Sequence, residues 1–218
     1  MKHKCLILDH DDTIVNSTAT IHYPSFVEWA EKYAPQAMMS LDDYFRYNFH
    51  PGIIKMFKDI CKLTDEQIND QEEFWNEYSS SHIAKAYPGI KEILDEHKKQ
   101  GGIITVISHS YSKNIIRDYR ENNLPIPDAT YGWECEPENR KPSPWAIYQI
   151  LNEYNLKKDE VLVIDDLKPG YDMAKAAGVP FASAGWANDI EEIESFMRKN
   201  CELYFKTVDE FKEYLFEK

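Results

Sequence analysis

The sequence predicts an α/β protein with a Rossmann-like parallel sheet that is covered by helices on both faces. Apolar runs of strand length recur at residues 5–8, 103–107 and 161–164, and helical patterns lie between the later runs. Each of these runs ends in polar residues. Residues 16–86 show helical patterns without a convincing strand, so we expect an all-helical unit inserted after the first strand.

We therefore predict two domains in this chain of 218 residues. Residues 1–15 and 87–218 are expected to form the sheet domain, and residues 16–86 the helical one. We expect helices in the insertion to begin near Pro24, Leu41, Ile54 and Thr64. Thr64 and Gln67 have the spacing of a capping box. We expect the aromatic side chains of the insertion to pack within it.

After residue 87 the patterns of strands and helices alternate. Further strands are predicted at 129–131, 179–183 and 202–205, and helices at 90–97, 111–121, 144–151 and 208–216. A loop through Pro169-Gly170 is expected to lead into another short helix, closed by Gly178. Ser110 and Ser143 are the expected N-cap residues of two of these helices. An alternating pattern of this kind predicts a parallel sheet, and ligands bind such sheets at the carboxyl ends of the strands.

The formal net charge of −13 argues against a nucleic-acid or anionic-membrane partner. The four cysteines are far apart and form no CxxC pair, so we expect neither a zinc site nor a disulfide framework. No apolar run approaches transmembrane length, and the N-terminal run is too short for a signal peptide. We therefore expect a cytoplasmic protein.

Polar side chains follow three of the predicted strands. Asp9 and Asp11 come after the first strand, Ser108 after the strand at 103–107, and Asp165-Asp166 at the end of the strand that begins at residue 161. Carboxylate oxygens suit a hard divalent cation such as Mg²⁺, and a hydroxyl at the start of a helix suits a phosphate oxygen.

Lys141 adds a positive charge just before a proline-rich helix start. Simpler interpretations exist for each residue taken alone, because acids are common in turns and a lysine is usually solvated. For Asp165, supporting a cation ligand is as plausible as binding the cation directly. For Ser110, an N-cap is favoured over a contact with substrate.

This ordered set resembles the haloacid dehalogenase (HAD) superfamily. Its first motif, DxDx[TV], matches residues 9–13, and its second, a Ser or Thr that ends an apolar strand, matches Ser108. A Lys before Pro-x-Pro matches residues 141–144, and a paired acid followed by an Ala-rich helix ending in Gly matches residues 165–178. The insertion matches the position of the helical cap in relatives of β-phosphoglucomutase and phosphoglycolate phosphatase. The resemblance covers essentially the whole chain.

The resemblance implies a Mg²⁺-dependent phosphatase that hydrolyses a small phosphorylated metabolite through an aspartyl-phosphate. Asp9 would be the nucleophile and Asp11 the general acid and base. The implied ligands of Mg²⁺ are Asp9, the Asp11 carbonyl and Asp166, with Asp165 either a further ligand or a support. The third acid of the first turn, Asp12, is expected to serve the turn and not the chemistry.

Ser108 and Lys141 are implied to hold the phosphoryl oxygens, with His109 as a further contact to the substrate. Two other functions stay open. One is a phosphomutase of the β-phosphoglucomutase type, and the other is a binding protein that keeps the fold without catalysis. Either a monomer or a homodimer fits the sequence.

Overall fold

The computed structural model describes residues 2–216, which form two compact units. Residues 2–16 and 85–216 belong to the first unit, and Ser17–Ala84 forms the second. In the described part of the chain, the helices are all too short or too polar to span a lipid bilayer.

The strands of residues 2–216 are, in chain order, β1 (Cys5–Leu8), β2 (Val15–Asn16), β3 (Lys85–Ala86), β4 (Ile103–Ile107), β5 (Ala129–Tyr131), β6 (Val161–Asp165), β7 (Phe181–Ala184) and β8 (Leu203–Phe205). Six of them form one parallel sheet in the order β5-β4-β1-β6-β7-β8. All four residues of the central strand β1 are fully buried, which explains its unbroken apolar sequence. The predicted fold class is confirmed.

The helices are α1 (Tyr23–Tyr33), α2 (Leu41–Phe49), α3 (Ile53–Lys55), α4 (Asp65–Ser81), α5 (Ile90–Lys99), α6 (Ser112–Glu121), α7 (Trp145–Glu153), α8 (Lys168–Ala177), α9 (Glu191–Asn200) and α10 (Val208–Phe216). Along the chain, β4 and β5 are added on one side of β1, and β6, β7 and β8 are then added on its other side. Because crossovers between parallel strands are nearly always right-handed, this reversal places α5 and α6 on one face and α7 to α9 on the other.

The helical unit has its own apolar core, in which Phe26 and Trp29 of α1 are fully buried. Tyr44 of α2 belongs to the same core, as expected for an aromatic residue that packs within the unit. At the start of α4, the Thr64 hydroxyl accepts from the Gln67 amide, and the Gln67 side chain accepts from the Thr64 amide. The predicted capping box is therefore present.

Three elements of the structure, β2, β3 and α9, are missing from the sequence prediction. The short strands β2 and β3 pair antiparallel, with Val15 opposite Ala86 and Asn16 opposite Lys85. Strands of two residues show no periodicity, so the pattern could not detect them. Helix α9 was also missed, because the side chains that it buries are only Ile193 and Met197.

The N-cap predicted at Ser143 is wrong. Helix α7 has Pro144 at this position, and no side chain caps it. The Ser143 amide instead donates to the Arg140 carbonyl at 2.8 Å, which places Ser143 in the turn before the helix. Helix boundaries of this kind shift easily by one residue.

We expect the free energy of unfolding to fall as the pH drops below about 6.5, with His97 as one cause. This side chain is 1% exposed, and its Nε2 donates to the Ile103 carbonyl at 3.1 Å. Burial, with a smaller contribution from Lys98, lowers the pKa of His97. The unfolded chain therefore binds the proton more readily, and stability that is present above pH 6.5 is lost towards the lower folded pKa.

Urea denaturation at pH 5, 6 and 7.5 would measure this dependence. Carboxylates also titrate in this range, so His97→Gln is the matched variant. The difference in unfolding free energy between wild type and variant should grow more favourable to wild type as the pH rises. A difference that is the same at all three pH values would contradict the expectation.

Candidate active site

The predicted residues follow three neighbouring strands. Asp9 follows β1, Ser108 follows β4, and Asp165 ends β6. Since β1 lies between β4 and β6 and all three are parallel, their carboxyl ends meet at one edge of the sheet. Strand order therefore brings together side chains that are 57 to 156 residues apart in the sequence.

Three carboxylates form a buried cluster at this edge. Asp9, Asp165 and Asp166 each offer an oxygen within 4.8 Å of the others, and none is more than 7% exposed. Burial, reinforced by the charge of Asp165, raises the pKa of Asp9 to about 7 and that of Asp166 well above its usual range. Burial and the neighbouring carboxylates thus both disfavour the charged forms of Asp9 and Asp166, and a cation bound beside them would favour those forms.

Both carboxylate oxygens of Asp166 are buried without a hydrogen-bond partner among residues 2–216. Leaving such groups unpaired is costly unless a cation compensates them. Clustered carboxylate oxygens are also the ligands that hard divalent cations prefer. The residues therefore fit a divalent metal ion.

Lys141 lies between two of the acids. Its Nζ atom is 2.9 Å from Asp9 Oδ1 and 2.8 Å from Asp165 Oδ2. Burial alone would lower the pKa of Lys141, but the charges of Asp165 and Asp9 raise it above its ordinary value. The side chain is therefore a buried ammonium group, which is able to bind an anion.

Asp165 and Asp166 differ in their contacts. Besides its ion pair with Lys141, Asp165 accepts the amide of Leu167 on Oδ1 at 2.9 Å. A Cβ atom on Gly170 would lie 2.1 Å from the Asp165 carboxyl group, so only glycine fits there. Asp165 is thus held by the protein on both oxygens, whereas the oxygens of Asp166 have no partner in the described chain.

Ser110 does not have its predicted role. The N-cap of α6 is Tyr111, without a side-chain cap, and the Ser110 hydroxyl instead donates to Asp11 Oδ2 at 2.7 Å. The Ser108 hydroxyl donates to the same oxygen at 3.2 Å and accepts the Ser110 amide at 3.0 Å. Sequence reasoning missed this contact, although the Ser-x-Ser spacing at a strand end was a usable signal.

His109 contacts the segment that carries Lys141. Burial, with a contribution from the Lys141 charge, lowers the pKa of His109 to about 4, so the ring is neutral near pH 7. Its Nε2 atom is 3.2 Å from the Lys141 carbonyl, which can only accept, so Nε2 carries the proton. His109 therefore adds no positive charge, and its contact with substrate stays a prediction.

We expect Asp12→Gly to keep most of the wild-type activity. Asp12 has a φ of 58°, a left-handed conformation that glycine adopts at no steric cost, and its amide donates to the Val15 carbonyl at 2.7 Å. Glycine preserves both features, whereas Asp12→Ala introduces strain of about 1 kcal/mol. Steady-state turnover and urea denaturation of both variants would measure this. A loss in Asp12→Gly as large as that in Asp11→Asn would contradict the assigned role.

Comparisons with known proteins agree on one family. The model of the family described as haloacid dehalogenase-like hydrolase matches residues 6–184. A phosphoglycolate phosphatase of Mannheimia succiniciproducens is 26% identical over 187 residues, which cover 80% of this chain and 82% of that protein. Pyrophosphatase PpaX of Bacillus cereus is 21% identical over 190 residues, and the match covers 85% of this chain and 85% of that protein. A crystal structure of a predicted phosphoglycolate phosphatase from Haemophilus somnus superimposes with a TM-score of 0.77 at 20% identity, covering 99% of both chains.

Proposed function

The chain belongs to the haloacid dehalogenase-like hydrolases and is a phosphatase of that family, and we propose that it uses Mg²⁺ to hydrolyse a small phosphorylated metabolite. The observation that carries the proposal is the buried cluster of Asp9, Asp165 and Asp166 with Lys141 beside it. An excess of buried carboxylates favours a bound cation, and a buried ammonium group favours an anionic substrate.

In the proposed reaction, a carboxylate oxygen of Asp9 attacks phosphorus and displaces the leaving oxygen, which gives an aspartyl-phosphate. Asp11 donates a proton to the leaving oxygen and later takes one from the water that attacks the phosphorus. Phosphate leaves and the Asp9 carboxylate is restored. Lys141 and Ser108 stabilise the phosphoryl oxygens as their charge shifts.

We assign Asp9 and Asp166 as carboxylate ligands of Mg²⁺, with the Asp11 carbonyl as a predicted third. When bound, Mg²⁺ would reduce the repulsion between the Asp9 carboxylate and the anionic substrate. For Asp165, the contacts with Lys141 and the Leu167 amide support a positioning role. It would hold Lys141 beside Asp9.

Phosphoglycolate and inorganic pyrophosphate are the first substrates to test, because relatives of this chain bear those activities in their names. The helical unit Ser17–Ala84 stands at the position of a cap in this family, and we propose that it contributes to the choice of substrate. Sugar phosphates belong in the same panel, since a phosphomutase would act on them.

We expect phosphate release from p-nitrophenyl phosphate to fall at least about 100-fold when excess EDTA replaces Mg²⁺, and to return when Mg²⁺ is restored. The physical reason is the uncompensated charge of the carboxylate cluster. The assay measures inorganic phosphate from each member of the panel. Activity that is unchanged by EDTA would contradict the proposed metal requirement.

Product analysis tests the phosphatase assignment against the two other functions that the sequence left open. A phosphomutase would convert a sugar phosphate to its isomer without a matching release of inorganic phosphate. A non-catalytic protein would release no phosphate from any substrate in the panel, with or without Mg²⁺.

A further inference from the structure

We propose that His10 and Asp118 are positioning residues that hold the nucleophile Asp9 in its reactive orientation. This inference rests on the function proposed for Asp9. The DxDx[TV] pattern leaves position 10 open, so the motif gives His10 no role. Yet its side chain is only 1% exposed, and the residue directly follows Asp9 of the carboxylate cluster in the sequence.

The backbone of His10 contacts both the nucleophile and the turn that follows. Its amide donates to Asp9 Oδ1 at 2.7 Å, and its carbonyl accepts the amides of Ile14 at 3.0 Å and Val15 at 3.2 Å. The Asp9 carboxylate therefore takes its orientation partly from the peptide group of residue 10. A rotation of His10 would displace the Asp9 carboxylate and loosen the turn.

The side chain of His10 fixes that backbone to α6. Its Nε2 atom is 3.2 Å from Asp118 Oδ2, and the ring stacks on Tyr119 with 5.9 Å between centroids. Asp118 is itself held, because Arg117 donates to Asp118 Oδ1 through Nε at 2.9 Å and Nη2 at 2.7 Å. The anchor is thus a buried carboxylate whose two oxygens are both engaged.

Packing alone does not account for a histidine at this position. His10 Nδ1 and the hydroxyl of Tyr119 are both buried without a partner among residues 2–216. An apolar side chain of similar size would fill the same space without burying an unpaired nitrogen. What an apolar side chain cannot provide is the bond to Asp118, which fixes the orientation of residue 10.

His10→Leu tests the proposal. We expect its kcat for p-nitrophenyl phosphate with saturating Mg²⁺ to fall about 10- to 100-fold while KM stays nearly constant, because small displacements of a reacting group are costly. His10→Gln offers an amide donor in place of Nε2 and should return kcat to within about fivefold of wild type. If His10 acted only by filling space, His10→Leu would not lower kcat at constant KM, and His10→Gln would not restore kcat.

His97→Leu is the matched control. His97 is also 1% exposed and also donates from Nε2, but to the carbonyl of Ile103, the first residue of β4, at the amino end of that strand. Both variants remove a buried hydrogen bond, so thermal denaturation should show some loss of stability in each. Only His10→Leu should lose kcat at a temperature where both are folded.

A folded His10→Leu enzyme whose kcat lies within about twofold of wild type would overturn the proposal, as would an equal loss in His97→Leu. If His10→Leu does not fold, Asp118→Asn decides, because it keeps the shape of the anchor and removes its charge. We then expect kcat to fall at least about threefold at constant KM, and an unchanged kcat overturns the proposal. Asp9→Asn, assayed in parallel, distinguishes failure of this inference from failure of the proposed function, because turnover in that variant would reject the proposed function itself.

Discussion

Asp9→Asn is expected to abolish turnover, with a loss of at least about 10⁴-fold, and to leave the fold intact. An amide oxygen is a poor nucleophile and cannot form the aspartyl-phosphate. It can still accept the His10 amide, which is 2.7 Å from Asp9 Oδ1 in the wild type. Phosphate release under saturating Mg²⁺ measures the loss, and acid quenching followed by mass spectrometry detects the phosphorylated aspartate in the wild type only.

The same variant should be at least as stable as the wild type in EDTA at pH 8. Burial and the charge of Asp165 raise the pKa of Asp9 to about 7, so the folded protein loses stability as the pH rises through that value. Asparagine carries no charge and avoids this cost. Asp12→Gly controls for a general disturbance of the turn. More than about 1% residual turnover in Asp9→Asn would show that Asp9 is not the nucleophile.

Lys141→Met is expected to reduce both activity and stability. Removing the ammonium group takes away a donor to the phosphoryl oxygens, which should lower kcat about 100- to 1,000-fold. It also leaves Asp9 and Asp165 facing each other in a buried site without their shared cation. We expect the free energy of unfolding in EDTA to fall by about 3 to 5 kcal/mol, and Mg²⁺ to restore part of it.

Lys206→Met provides a matched control for that experiment. Lys206 also pairs with two acids, Asp189 at 2.8 Å and Glu194 at 3.2 Å, but its side chain is 35% exposed. Partly solvated ion pairs contribute little, so we expect a loss of less than about 1 kcal/mol and no change in kcat. Equal destabilisation by the two variants would contradict the argument from burial.

The parts of the fold that the sequence predicted well are those whose pattern follows directly from burial. Strand β1 is buried on both faces, so every residue in it is apolar, and the change to aspartate at residue 9 marks its end. The same contrast marks Ser108 after β4 and Asp165 at the end of β6. Because parallel strands end at one edge, the sequence alone predicts that these three residues lie close together.

Other features depend on the exact path of the backbone, and no pattern in the sequence predicts them. Whether the Ser110 hydroxyl caps α6 or reaches Asp11 is decided by where the helix begins, and one residue of difference changes the answer. The bond between His10 and Asp118 joins residues 108 positions apart, and only the packing of α6 on the sheet brings them together. The positive φ of Asp12 likewise gives no signal in the sequence, because aspartate is tolerated there.

The pairing of β2 with β3 has a consequence for how the chain can vary. Asn16 lies opposite Lys85, so the segment Ser17–Ala84 leaves and rejoins the sheet unit at adjacent positions in a two-stranded ribbon. These 68 residues join two neighbouring strand ends, which a tight hairpin turn could also join. A change in the length of this segment can therefore leave the ends of the ribbon in place, together with the bond from the Val15 amide to the His10 carbonyl in the turn that follows Asp9.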